Sequence, residues 1–153
     1  MNETPHGLRR ARMALAWALA SGACLALDCA AAELTVKVTG ITAPYGSVGC
    51  SLYAAAPGFP MDNARARAEW VAASGDTVSC TFKDVAAGRY AVSVAHDTNG
   101  NRTLDTNVFG IPTEQWGVSN NVRPSLRAPR FDEAAFSVSG DAAALNLDIK
   151  VAK

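Results

Sequence analysis

An antiparallel all-β sandwich is the fold this sequence predicts, and three observations predict it. Apolar and polar residues alternate with period two in six short segments, turn-forming residues fill most of the chain between them, and only one stretch has a helical composition.

The first segment sets Leu34, Val36 and Val38 against Thr35, Lys37 and Thr39. Side chains on a strand point alternately to its two faces, so this pattern buries one face and wets the other. Val48-Cys50-Leu52, Val78-Cys80-Phe82 and Tyr90-Val92-Val94 repeat it, Phe136-Val138 is a shorter copy, and Leu145, Leu147, Ile149 and Val151 alternate with Asn146, Asp148 and Lys150. Asp62 to Ala73 is the exception: rich in Ala, Arg and Glu, with Asp62 as a capping residue, it is expected to form a short helix carrying Trp70 and Val71 and plugging one end of the sandwich. No internal repeat or linker divides the chain, so a single domain is expected over residues 33–153.

Residues 1–32 read as a signal peptide. Arg9, Arg10 and Arg12 precede an uncharged run from Met13 to Leu27 that is short for a membrane span, and Ala30, Ala31 and Ala32 supply a small-residue cleavage site before Glu33. Arg9-Arg10 and Cys24 leave twin-arginine export and lipidation open as alternatives. The expected address is exported, periplasmic or extracellular, with no transmembrane segment in the mature chain. In such a compartment thiols are oxidised. Cys24 and Cys29 leave with the leader, Cys50 and Cys80 share the buried parity of their strands, and a Cys50–Cys80 disulfide is expected.

The 153 residues carry 14 basic and 14 acidic side chains, for a formal net charge of +0. A neutral chain without blocks of like charge has no field to hold a phosphate backbone, which argues against a nucleic-acid partner. A monomer is expected.

Between Asp97 and Asp132 the alternation stops. Asparagines at 99, 101, 107, 120 and 121, glycines at 100, 110 and 117, and prolines at 112, 124 and 129 are turn chemistry, and a compact domain rarely carries so long an irregular segment without using it. The strand Gly88-Arg89-Tyr90-Ala91-Val92 leads into it, followed by HDTNGNRTLDTNVFGIPTEQWGVSNN at residues 96–121. This order of motifs, behind an exported leader and an early V-x-V strand, resembles a bacterial family known as domain of unknown function 2141. The resemblance implies a small exported protein with a transthyretin-like or immunoglobulin-like sandwich, and it brings no activity. Where that family tends to leave the SNN box through a glycine-proline turn, this chain has Val122-Arg123-Pro124-Ser125-Leu126-Arg127-Ala128-Pro129.

Three functional readings compete for the segment. In the preferred one, the sandwich is a rigid frame for a non-catalytic binding or accessory module, whose loop presents His96, Phe109, Glu114, Trp116, Asn120 and Asn121 to an extracytoplasmic ligand, carbohydrate or peptide. No cofactor is required by it. In the second, Asp97, Asn99, Asn101 and Asp105 occupy positions one, three, five and nine of a calcium loop, with the Thr103 carbonyl at seven. That loop lacks the glycine and the bidentate glutamate of an EF-hand, and Asn99-Gly100 reads equally as a hairpin turn between His96 and a strand at Arg102 to Phe109. The third is a hydrolase with a site around His96, Asp105 and Glu114 and Ser119 as nucleophile, although no nucleophile-elbow motif is present. His96 itself follows the inward parity, as a core histidine would.

Overall fold

The computed structural model describes residues 31–153, which fold into two packed β-sheets. The expected leader, with its cysteines and arginines, lies outside the described residues except for Ala31 and Ala32. Ala32 already belongs to the first strand and is buried, so that strand starts one residue ahead of the expected mature N-terminus.

Strands β1 (Ala32–Thr39), β2 (Ser47–Tyr53), β4 (Thr77–Val85), β5 (Gly88–Asp97), β7 (Phe136–Val138) and β8 (Ala144–Lys150) form where alternation predicts them, and β3 (Arg67–Ala72) and β6 (Gln115–Val118) join them. The smaller sheet has the order β4-β1-β8 and the larger β3-β2-β5-β6, with β7 also on β5. Every pairing between these strands is antiparallel except one. β1 and β8 run parallel, from Glu33 opposite Ala144 to Thr39 opposite Lys150, because the last strand returns beside the first by a long connection instead of a hairpin.

Aliphatic residues of both sheets interdigitate between them: Leu34, Val36 and Val38 of β1 meet Val48, Leu52, Val92 and Val94 of the larger sheet. The Cys50–Cys80 disulfide crosses this core. Its cysteines, from β2 and β4, are 6.4 Å apart at Cα and wholly buried, so it ties one sheet to the other as parity predicted.

Two expectations are corrected. Asp62 does cap a helical turn, accepting the amide of Ala64, but the turn is a 3₁₀ turn at Asn63–Arg65 that stops at Ala66, and Arg67–Ala72 is the edge strand β3 on β2. Ala, Arg and Glu favour helix only weakly, and the edge of a sheet with unpaired ladder groups outweighs that preference. Among the described residues, the α-helix is the single turn α1 (Phe131–Ala134), inside the segment expected to be irregular. The second correction concerns Arg102 to Phe109, which makes no hairpin strand. Thr106 and Pro112 form only an isolated bridge.

The excursion between β6 and β7 is filled in an economical way. β6 and β7 lie in tandem on the same side of β5, and Ser119 fills the gap: its hydroxyl accepts the buried Val92 amide and donates to the Ala134 carbonyl. Phe131 and Ala134 then pack on Tyr53, Ala91 and Val118, a second apolar cluster on the outer face of the larger sheet.

Candidate functional site

This cluster covers one end of that outer face. In the rest, cross-strand neighbours form a row Trp70-Gly49-Ala95-Trp116, and the next row is Ala68-Ser51-Ser93-Val118. The floor is therefore glycine, alanine and serine, with an indole at each end of the first row. Three strand spacings separate the two tryptophans, roughly 14 Å at the backbone. A Cβ on Gly49 would lie 2.6 Å from the Trp70 ring, so the indole lies directly over the glycine and no side chain fits between.

Around this floor stands a cleft of about 730 Å³, walled by Phe109, Ile111 and Pro112 of one loop, Met61 of another, and Arg123 to Pro129 of a third. A volume of that size is ordinary for a small-ligand site. Phe109 is 84% exposed and Leu126 is 99% exposed, so these apolar walls stand free in solvent. Arg123 stacks 4.2 Å from the centre of the Trp116 ring, and Arg102 lies 5.8 Å from that of Trp70. Of the binding-loop candidates, Phe109 and Trp116 line the cleft, and His96, Glu114, Asn120 and Asn121 do not.

His96 is 1% exposed at the inner end of β5. Its Nε2 lies 2.9 Å from the Tyr45 carbonyl and so donates to it, and Nδ1 faces the Gln115 side-chain oxygen at 3.3 Å. A small polar pocket of about 140 Å³, with Thr42, Tyr45, Thr98, Glu114 and Gln115, opens beside it. Ser119 lies opposite Val92 on the same strand, roughly four residues or 13 Å away along β5, with its hydroxyl committed to the backbone. Asn120 and Asn121 are joints: both hold positive φ, Asn120 donates to the Glu133 and Ala135 carbonyls, and Asn121 bonds Asp148 and Lys150 of β8.

Asp97, Asn99, Asn101, Thr103 and Asp105 do come together, around backbone amides. Asp97 is fully buried, and its two oxygens accept the amides of Asn99, Gly100 and Arg102. Asn99 and Asn101 use their oxygens on the amides of residues 101 and 103, which turns both amide nitrogens toward the Asp105 carboxylate at 2.6 and 2.8 Å. Glu114 closes the loop from the other side by accepting from Thr98 and the Asp105 amide. Arranged so, the carboxylates and amide oxygens of the loop are engaged by its own N–H donors. Among the described residues no three His, Cys, Asp or Glu side chains cluster as metal ligands.

Sequence reasoning missed Trp70, Gly49, Met61, Ile111 and Arg123. The available signal was Trp70-Gly49 pairing, which is visible only once residues 67–72 are read as a strand.

The class defined by this geometry is a disulfide-tied β-sandwich with an aromatic-walled cleft on one outer sheet face. The chain belongs to the family described as an uncharacterized protein conserved in bacteria (DUF2141), which matches residues 36–146. No curated protein and no solved structure matches it. Among the described residues, no helix is long and apolar enough to cross a membrane.

Proposed function

We propose that the protein is a non-catalytic, exported binding module whose site is the outer-face cleft between Trp70 and Trp116. One observation carries this reading. Beyond the part that carries Tyr53 and Ala91, strands that bury valine and leucine on one face present Gly49, Ser51, Ser93 and Ala95 on the other, leaving a low floor between Trp70 and Trp116. The frame is rigid where it supports the walls: the Asp97–Glu114 network fixes the base of the loop that ends in Phe109. The Cys50–Cys80 disulfide and the absence of a membrane-crossing helix among the described residues are compatible with export.

Both tryptophans of the described residues line the cleft, so their fluorescence reports its occupancy. Titrating the protein, as processed by its host, with sugar oligomers, short peptides and small amphiphiles is expected to give a saturable change for one class. Trp70→Ala should remove that response while the protein stays folded by circular dichroism. A response unchanged in Trp70→Ala, or none from any class, overturns the reading.

A further inference from the structure

We infer that the cleft selects a small amphiphilic anion, an apolar chain or ring bearing one carboxylate or similar acidic head. This rests on the binding-module reading and adds the ligand's chemistry. The charged side chains lining the cleft are Arg123, Arg127 and Lys153, and no aspartate or glutamate side chain joins them.

The two cleft-side arginines differ in what they have free. Arg127 is held by both oxygens of Glu133, at 2.8 and 2.6 Å, which offsets its charge. Arg123 has no carboxylate within ion-pair distance among the described residues. One of its terminal nitrogens donates to the Trp116 and Ala152 carbonyls, leaving Nε and the other terminal nitrogen as donors. The same guanidinium stacks on Trp116, so an unpaired cation and an apolar wall are adjacent at one end of the cleft. Arg102, also without a carboxylate partner among the described residues, does not line the cleft but lies 5.8 Å from the ring of Trp70, which does.

An anionic head meets a fork of donors beside a low-dielectric surface, where attraction is less screened than in water. Its apolar body then lies on the Gly-Ala-Ser floor against Phe109, Ile111 and Met61. A cationic ligand would meet the like charge of Arg123. A sugar needs acceptors for its hydroxyls, and the lining carboxylates that usually supply them are absent.

The test titrates the host-processed protein with decanoate and 2-naphthoate, their neutral counterparts decanol and 2-naphthol, decylammonium, and a neutral sugar oligomer, following tryptophan fluorescence. One or both carboxylates should bind at least about tenfold more tightly than their neutral counterparts, the effect of one charge-assisted hydrogen bond, and more weakly as salt rises. The two carboxylate arms distinguish a chain body from a ring body. Arg123→Gln should remove that tenfold preference of acid over alcohol. Because Arg123 also bonds the backbone, Arg102→Gln serves as a second variant whose side chain carries no other hydrogen bond, and it should lower carboxylate affinity in the same direction. Equal binding of acid and alcohol, or preference for decylammonium or the sugar, overturns the anion while the cleft remains a binding site. No response to any probe overturns both.

Discussion

The two faces of the larger sheet are made by the same strands and have opposite fates. On the inner face Val48, Cys50, Leu52, Val92 and Val94 are buried in the core. On the outer face Gly49, Ser51, Ser93 and Ala95 alternate with them at the base of the cleft, where Ser51 is 3% and Ser93 9% exposed. The comparison teaches that a strand's alternation encodes more than inside and outside. The size of the outward residues decides whether the second face is a solvated surface, a second core as under Phe131, or a recess.

The inner face is broken most severely at its covalent link. The 30-position separation of Cys50 and Cys80 implies that replacing both with alanine lowers stability by about 3 to 4 kcal/mol in the chain-entropy picture. Denaturant unfolding of the two forms without reductant measures it. A loss below about 1 kcal/mol would mean that the sheets hold together without the link.

Next in size is the seam between the faces and the loop. Asp97→Ala leaves three backbone amides without their charged acceptor and should cost about 2 kcal/mol, because solvent replaces some but not all of those bonds. The melting temperature is expected to be the same in chelator and in millimolar calcium, for wild type and variant alike. A calcium-dependent rise in the wild type that Asp97→Ala abolishes would show that the loop rearranges to hold a cation.

Much of the fold was legible because alternation is a direct consequence of burial on one face. That holds for β1, β2, β4, β5, β7 and β8, and for the parity that put Cys50 and Cys80 in the core. β3 was not legible. An edge strand buries little, so Arg67, Ala68 and Glu69 carry no strong apolar signature, and their helix-favouring composition points the wrong way. The site was legible only at Phe109 and Trp116, which stand out as large residues in a turn-rich segment. Its floor is small residues, which read as unremarkable outward positions until pairing registers them in one row. The Asp/Asn repeat had two chemical readings because oxygens at alternate positions serve turn amides as well as cations, and spacing alone does not separate them.

A smaller effect sharpens the outer face. Gly49→Ala puts a methyl group 2.6 Å from the Trp70 ring, which must swing off the floor. Because the neighbour that must yield is a half-buried side chain of the edge strand β3, this should change stability by no more than about 1 kcal/mol. The Trp70 emission should nevertheless shift, and ligand binding in the cleft should fall. Unchanged emission would mean that the indole does not rest on Gly49.

The smallest effect belongs to the half of the outer face that α1 closes. Glu133 holds both Arg127 nitrogens and the Arg130 amide, and these bonds, led by the Arg127 side chain, lower its carboxyl from 4.5 to about 2. Because the folded value lies below the unfolded one, the carboxylate's contribution to stability is complete above pH 4.5. It is lost as pH falls through about 2. The pair is at the surface, so the contribution is small and screened by salt. Melting curves of wild type and Glu133→Gln should therefore differ slightly but steadily from pH 7 down to about 5. They should converge between pH 4.5 and 2, and the gap at neutral pH should narrow in high salt. A gap that persists unchanged at pH 2 would mean that α1 is held by the packing of Phe131 and Ala134 and by neutral capping bonds, not by this charge.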